Sequence, residues 1–295
     1  MTIKHLIFPS GGPAGFIAYG AARQLAKKNI FDVNNIESVY GSSVGSLIGA
    51  IVCMKYKWEW LDDFFYKRPW EQAIKVTPEN IINFFTNQYL LNDDTFYKVM
   101  EPLLKGKNLT TDVTLKEFYE KTQVDLHIYA TNLNGLELEK IVFNHVTYPN
   151  VELCKAITIS STIPGIMKPV FMDDMCLIDG GCLSQFPATD CIENENIEND
   201  SILAFKNVYK EDISLNEDSG IVDVYTNVLW KLMSKASVDD DNTILQKVKY
   251  IVYLNATSIV SISNWPKYLE DKIERNKLID QGIYDATLFK EYHKL

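Results

Sequence analysis

VYGSSVGSLIGAI, residues 39–51, places Ser43 between Gly41 and Gly45 in a Gly-x-Ser-x-Gly pattern. ESVYG reads as a short strand leading into it, and SVGSLIGAIVCMKY as a helix of small and apolar residues leading out. A strand that turns sharply into a helix leaves little room beside the turn residue, so side chains flanking it would collide with neighbouring backbone and glycine is needed on both sides. The helix N-terminus would aim free N–H groups and a partial positive charge at negative charge developing near Ser43. Two uses of Ser43 remain open on this pattern: a nucleophile on a strained elbow, or an N-cap closing an ordinary turn.

Outward from this stretch, short apolar runs alternate with helical patterns. HLIF (5–8), DLHIYATNL (125–133), SILAF (201–205) and KYIVYLN (249–255) read as strands, FIAYGAARQLAKK as a helix, and YLEDKIERNKLIDQGIYDATLFKEY as a closing helix pair or one broken helix. This alternation predicts an α/β fold of three layers, α/β/α, around a mainly parallel sheet. Residues 56–120 are helical in pattern and aromatic, as in KWEWLDDFFYKRPW and IINFFTNQYLL, and read as an insertion or cap. Trp58, Leu61 and Phe65 share one helical face, for which core packing is the favoured use over an acyl channel; Trp58, Trp60 and Trp70 are candidates for interfacial contact. IENENIEND (192–200), NEDSG and DDDN read as solvated loops.

The chain has 295 residues, 46% of them hydrophobic, enough for one enzyme-sized core, and a single domain over 1–295 is expected. Its net charge of −10 argues against nucleic-acid binding and against electrostatic docking on anionic lipid, so a transient membrane-surface contact would have to be apolar. MTIKHLIFP shows no cleavable leader, and the apolar run 42–54 is shorter than the ~20 residues of a membrane span. An intracellular, cytoplasmic protein without signal peptide or transmembrane helix is therefore expected. Cys53, Cys154, Cys176, Cys182 and Cys191 form no Cys-x-x-Cys pair and suggest reduced, buried thiols in place of a disulfide framework or a zinc site.

Ser10-Gly11-Gly12-Pro13-Ala14-Gly15 forms a second glycine-rich loop between strand and helix. It could hold a dinucleotide phosphate, an oxyanion beside Ser43, or nothing; the spacing is not Gly-x-Gly-x-x-Gly, and Pro13 has no N–H to offer a phosphate. The proton acceptor has two candidates. His145, in FNHVTYPN, is the one histidine in a plausible loop, since His5 and His127 fall in strands and His293 lies at the C-terminus. Asp179, where CLIDGG ends an apolar run in Asp-Gly-Gly, is better placed, although the same tripeptide also suits a plain turn.

Taken in order, the strand, glycine-rich loop, helix, strand, Gly-x-Ser-x-Gly, helix and later Asp-Gly-Gly resemble the patatin-like phospholipases, lipid acyl hydrolases with a Ser-Asp dyad. SSTIPGIMKPV (160–170) is similar to the family's Ser/Ala-rich segment with a proline before the aspartate strand, and the resemblance covers roughly residues 5–190. It implies a catalytic core at 5–192 with a helical insertion at about 56–120, and a C-terminal extension at 193–295 completing the fold. It further implies Ser43 as nucleophile, Asp179 as proton acceptor, Gly11 and Gly12 as oxyanion hole, and Gly15, Gly41, Gly45, Gly180 and Gly181 as motif glycines. No metal or organic cofactor is implied, and the substrate is a fatty acyl ester of a phospholipid or other glycerolipid. The first loop departs from the family, with Ser10 at the first glycine and Ala14 at the usual basic residue. Ser10 can still offer a backbone N–H, but the missing cation removes one electrostatic contributor, which suggests a slow or selective enzyme. The alternative implied is a catalytically weak or silent relative that binds lipid or a protein partner.

Overall fold

β1 (His5–Phe8) is buried along its whole length because both faces of the sheet are covered: Leu6 and Phe8 enter one core, Ile7 the other. The same alternation holds in β2 (Ser38–Ser42), β3 (Asp125–Asn132) and β7 (Ile202–Val208), where Val39, Leu126 and Leu203 face the first core and Tyr40, Tyr129 and Ala204 the second. β4 (Glu139–Phe143), β5 (Val170–Met172), β6 (Met175–Asp179) and β8 (Tyr250–Asn255) complete an eight-stranded sheet. Its order is β5-β6-β3-β2-β1-β7-β8, with β4 also on β3. β3, β2, β1, β7 and β8 are parallel; β4, β5 and β6 are antiparallel to their neighbours. This computed structural model describes residues 2–70, 94–195, 200–209, 215, 217, 219–236, 242–259 and 264–295.

The described helices are α1 (Ala14–Lys27), α2 (Val44–Cys53), α3 (Trp58–Asp62), α4 (Thr95–Lys105), α5 (Leu115–Thr122), α6 (Leu153–Ser160), α7 (Ala188–Glu195), α8 (Ile221–Ala236), α9 (Asn242–Leu245), α10 (Trp265–Glu270) and α11 (Lys272–His293). α1, α2, α6 and α11 supply the first core, α7 and α9 the second, so the expected mainly parallel sheet with helices on both faces is present. α1 and α11 approach backbone to backbone: a Cβ on Gly20 would strike the Ile279 carbonyl, and one on Gly282 the Ile17 carbonyl.

Some boundaries differ from the sequence reading. α2 stops at Cys53 because Lys55 takes a left-handed φ of 51°. The acidic run after Cys191 is not all loop: residues 192–195 continue α7, with Ile192 packed on the second core. Leu61 and Phe65 are buried, Trp58 packs beside Tyr19, and Trp70 lies inside the core, so that aromatic face is packing; only Trp60 of the three tryptophans proposed for an interface is exposed. IINFFTNQYLL falls outside the described residues.

β3 determines where the site forms. It pairs with β2 through Ser42↔Tyr129 and with β6 from Ala130↔Asp179 onward, while β4 holds Ile128–Asn132. Because β4 overlaps both partners, β2 and β6 must share the other edge of β3. Their C-terminal ends therefore meet head to head, Ser42 beside Asp179 at consecutive registers.

Candidate active site

Ser43 follows β2 with φ 53° and ψ −127°, a conformation that costs a non-glycine residue about 1–3 kcal/mol. Close packing holds it there. A Cβ on Gly41 would overlap the Gly45 carbonyl, and one on Gly45 the carbonyl of Phe8 at the end of β1. The Ser43 carbonyl accepts from Ser46 N–H (2.9 Å) and Ser46 Oγ (2.6 Å), and its N–H donates to Ser160 Oγ (2.8 Å) at the end of α6. Although Ser43 precedes α2, its side chain makes no capping bond; Oγ donates to Asp179 Oδ2 at 2.7 Å, across 136 residues of sequence. The strained elbow, not the N-cap, is the conformation adopted.

Asp179 is 2% exposed and Ser43 4%. Oδ1 of Asp179 accepts the Gly181 N–H at 2.6 Å, so Asp-Gly-Gly does form a tight turn, and that turn fixes the carboxylate while Oδ2 remains for Ser43. The backbone is anchored on both sides, with Asp179 N–H donating to the Thr162 carbonyl (2.8 Å) and Thr131 Oγ1 donating to the Asp179 carbonyl (3.1 Å). Burial pushes the Asp179 carboxyl up to about 7, against the opposing pull of the Ser43 and Gly181 hydrogen bonds. An acceptor of this strength matches proton transfer near neutral pH.

The first loop adjoins the pair: a Cβ on Gly181 would lie 2.9 Å from both Asp179 Oδ1 and Ser10 Oγ, and one on Gly15 would strike Val44 at the start of α2. Gly11 and Gly12 have φ of 142° and 52°, and among the described residues neither N–H has a hydrogen-bond acceptor. The Ser10 N–H, in contrast, is not available to an oxyanion, because it donates to the Gln185 carbonyl at 2.9 Å. Asn207 Nδ2 donates to the Ser10 carbonyl at 2.6 Å, and the Trp265 indole lies against Gly12. Sequence reasoning missed Asn207 and Trp265 as neighbours of the site, since no motif marks them, and took Ser160 only as part of the 160–170 segment, without its bond to Ser43.

The histidines sit at the other pole. His5 pairs with Ser38 (2.8 Å) at the starts of β1 and β2, His145 Nδ1 lies 3.0 Å and His127 Nε2 3.1 Å from Asp125 at the start of β3, and His293 packs on Tyr250 at the start of β8. His145 thus has a carboxylate but no serine, and the Ser-His-Asp arrangement is not formed. A cavity of about 480 Å³ lined by Ile3, Ile30, Asp32, Lys55 and Trp58 also lies at that pole, away from Ser43. All five cysteines are free and buried, as expected. Among the described residues no helix is long and apolar enough to cross a membrane.

The sequence profile of patatin-like phospholipases matches residues 6–192. The chain belongs to the patatin-like phospholipase family. An uncharacterised protein of Acanthamoeba polyphaga mimivirus is 26% identical over 187 residues, 63% of this chain and 61% of that one. A probable lipid hydrolase of Invertebrate iridescent virus 6 is 25% identical over 198 residues, 66% of each chain. The chain thus spans less than two thirds of the length of these two relatives. The crystal structure of VipD from Legionella pneumophila matches with a TM-score of 0.55 at 15% identity, covering 99% of this chain and 67% of that one, a likeness of fold. Asn207 and Trp265 lie outside the stretch that matches the patatin-like profile, yet both touch its glycine-rich loop.

Proposed function

We propose that this patatin-like protein is a lipid acyl hydrolase that cleaves fatty acyl esters of phospholipids or other glycerolipids through Ser43 and Asp179. The observation that carries the reading is the 2.7 Å hydrogen bond from Ser43 Oγ to a buried carboxylate, made from a backbone conformation that serine adopts only at a cost. Asp179 accepts the Ser43 proton as Oγ attacks the ester carbonyl carbon. The negative charge on the carbonyl oxygen is taken by the Gly11 and Gly12 N–H groups and the N-terminal end of α2. Collapse of this intermediate breaks the bond to the alcohol oxygen, which leaves with the proton from Asp179. Water, deprotonated by Asp179, then attacks the acyl-Ser43 ester; the fatty acid departs and Ser43 regains its proton. The chemistry needs no metal ion or organic cofactor.

The test is labelling by a fluorescent alkyl fluorophosphonate, comparing wild type with Ser43→Ala and Asp179→Asn. Labelling that is lost in the first and at least 100-fold slower in the second is expected. A second reading, a catalytically silent lipid- or partner-binding protein, is favoured by the occupied Ser10 N–H, the uncharged Ala14 and the indole against Gly12. No labelling of a folded wild type would replace the first reading by the second.

A further inference from the structure

α8 turns an apolar stripe outward. Ile221, Val224, Tyr225, Val228 and Leu232 recur at helical spacing and are all exposed, from 86% at Ile221 to 42% at Val224. The helix is not short of inward contacts: Leu229 and Met233 pack on Ile178 and Cys182, which flank Asp179 and its turn. Tyr225 Oη donates to the Pro164 carbonyl (3.2 Å) in the loop after α6, the helix whose Ser160 holds the Ser43 N–H. α8 therefore touches both segments that support the Ser43–Asp179 pair while showing solvent five large apolar side chains. The loop after β3, at the same end of the sheet as Ser43, adds exposed Leu136 and Leu138.

We infer that the outer face of α8 docks the protein on a zwitterionic phospholipid surface and delivers lipid from it to Ser43. This rests on the lipid acyl hydrolase reading above. The occupant follows from charge, size and place. A net charge of −10 repels an anionic surface, and the five stripe residues carry no charge, with exposed Lys235 beyond them at the end of the helix, so contact must come mainly from apolar burial. The exposed stripe amounts to roughly 500 Å², the scale of a functional patch but short of the ~800 Å² per partner of a stable protein interface. Its inner side already packs on the turn that carries the proton acceptor, so a lipid meeting this face lies beside the site.

The full chain is compared with Val224→Ser/Val228→Ser/Leu232→Ser for co-sedimentation with phosphatidylcholine vesicles. Hydrolysis is followed on the same vesicles and on soluble p-nitrophenyl butyrate. The variant is expected to lose at least tenfold in vesicle binding and in vesicle hydrolysis, with hydrolysis of the soluble ester within twofold of wild type. Val228→Trp, an addition to an exposed position, is expected to tighten vesicle binding, and decides the matter should the triple variant fold poorly. Unchanged vesicle binding in both variants overturns the inference, as does a wild-type dimer that the triple variant dissolves, which would make the stripe an interface between copies. Absence of Ser43-dependent hydrolysis on either substrate would sink the hydrolase reading instead, while vesicle binding would still report on the stripe.

Discussion

Replacing Asp179 by asparagine should make the protein more stable above pH 7 and nearly inactive. Desolvation raises this carboxyl from 3.8 to about 7 in the fold, despite the hydrogen bonds from Ser43 and Gly181 that favour its ionised form. Because the folded value lies above the unfolded one, the folded protein holds the proton more tightly. The cost of the ionised carboxylate is absent below about pH 4, grows between about 4 and 7, and is complete above 7. At 1.36 kcal/mol per unit, that cost reaches about 4 kcal/mol. Asparagine has nearly the same shape: its Oδ1 keeps the Gly181 N–H, and its Nδ2 can donate to Ser43 Oγ, so the exchange leaves no new cavity and no buried charge. Urea unfolding of both proteins at pH 5, 6, 7 and 8 gives the difference directly. The asparagine variant should gain on wild type with each step up in pH, and the gain should level off above about pH 7. The same ionisation should appear in wild-type kcat/KM for a soluble ester, rising about tenfold per pH unit below 7 and then flattening. A stability difference that stays constant from pH 5 to 8, with a rate limb near pH 4, would refute the argument that burial tunes this carboxylate.

Three further substitutions and one control probe the frame of the fold. A Cβ on Gly180 would meet the Tyr129 carbonyl, so Gly180→Ala should drive the end of β6 off β3 and slow fluorophosphonate labelling about 100-fold, whereas Gly220→Ala, whose Cβ would make only ordinary contact with Asp223 Oδ2 (3.6 Å), should label normally. Asn207→Ala removes the donor to the Ser10 carbonyl, and kcat should fall about tenfold with KM within twofold if that bond sets the loop that receives the oxyanion. Gly282→Ala places a methyl against the Ile17 carbonyl of α1, where backbone on both sides cannot yield, and should cost about 1–3 kcal/mol in chemical denaturation without altering the pH profile.

The sequence exposes what is locally encoded. β1, β2, β3, β7 and β8 read as apolar runs because both of their faces are covered, and the Gly41-Ser43-Gly45 spacing marks the elbow because each glycine answers a backbone contact present in the fold. β4 and β5 were not legible: β5 has three residues, none of them buried, and β4 begins with exposed Glu139 and Lys140. Asn207 and Trp265 escaped for another reason. Each meets the first loop from more than 190 residues away, and neither residue type has a pattern that distinguishes such a contact from ordinary packing. The acidic run after Cys191 misled because Ile192 turns inward and Glu195 accepts from Tyr40 Oη, leaving Glu193 and Asn194 exposed, a helix end that composition alone reads as loop.

That an aspartate, and not a histidine, meets Ser43 follows from the direction of the strands. Parallel β1, β2 and β3 carry His5 and His127 at their starting ends, so no histidine of these strands can approach an elbow at their finishing end. β6 runs the other way along β3, and its C-terminal residue must arrive where β2 stops. Side chains alternate along a strand, so a slip of one residue between β6 and β3 would turn Asp179 to the opposite face of the sheet. The Thr131 bond to the Asp179 carbonyl and the Asp179 bond to Thr162 both resist that slip. The 2.7 Å contact is thus a consequence of sheet register, held by groups other than the two side chains that make it.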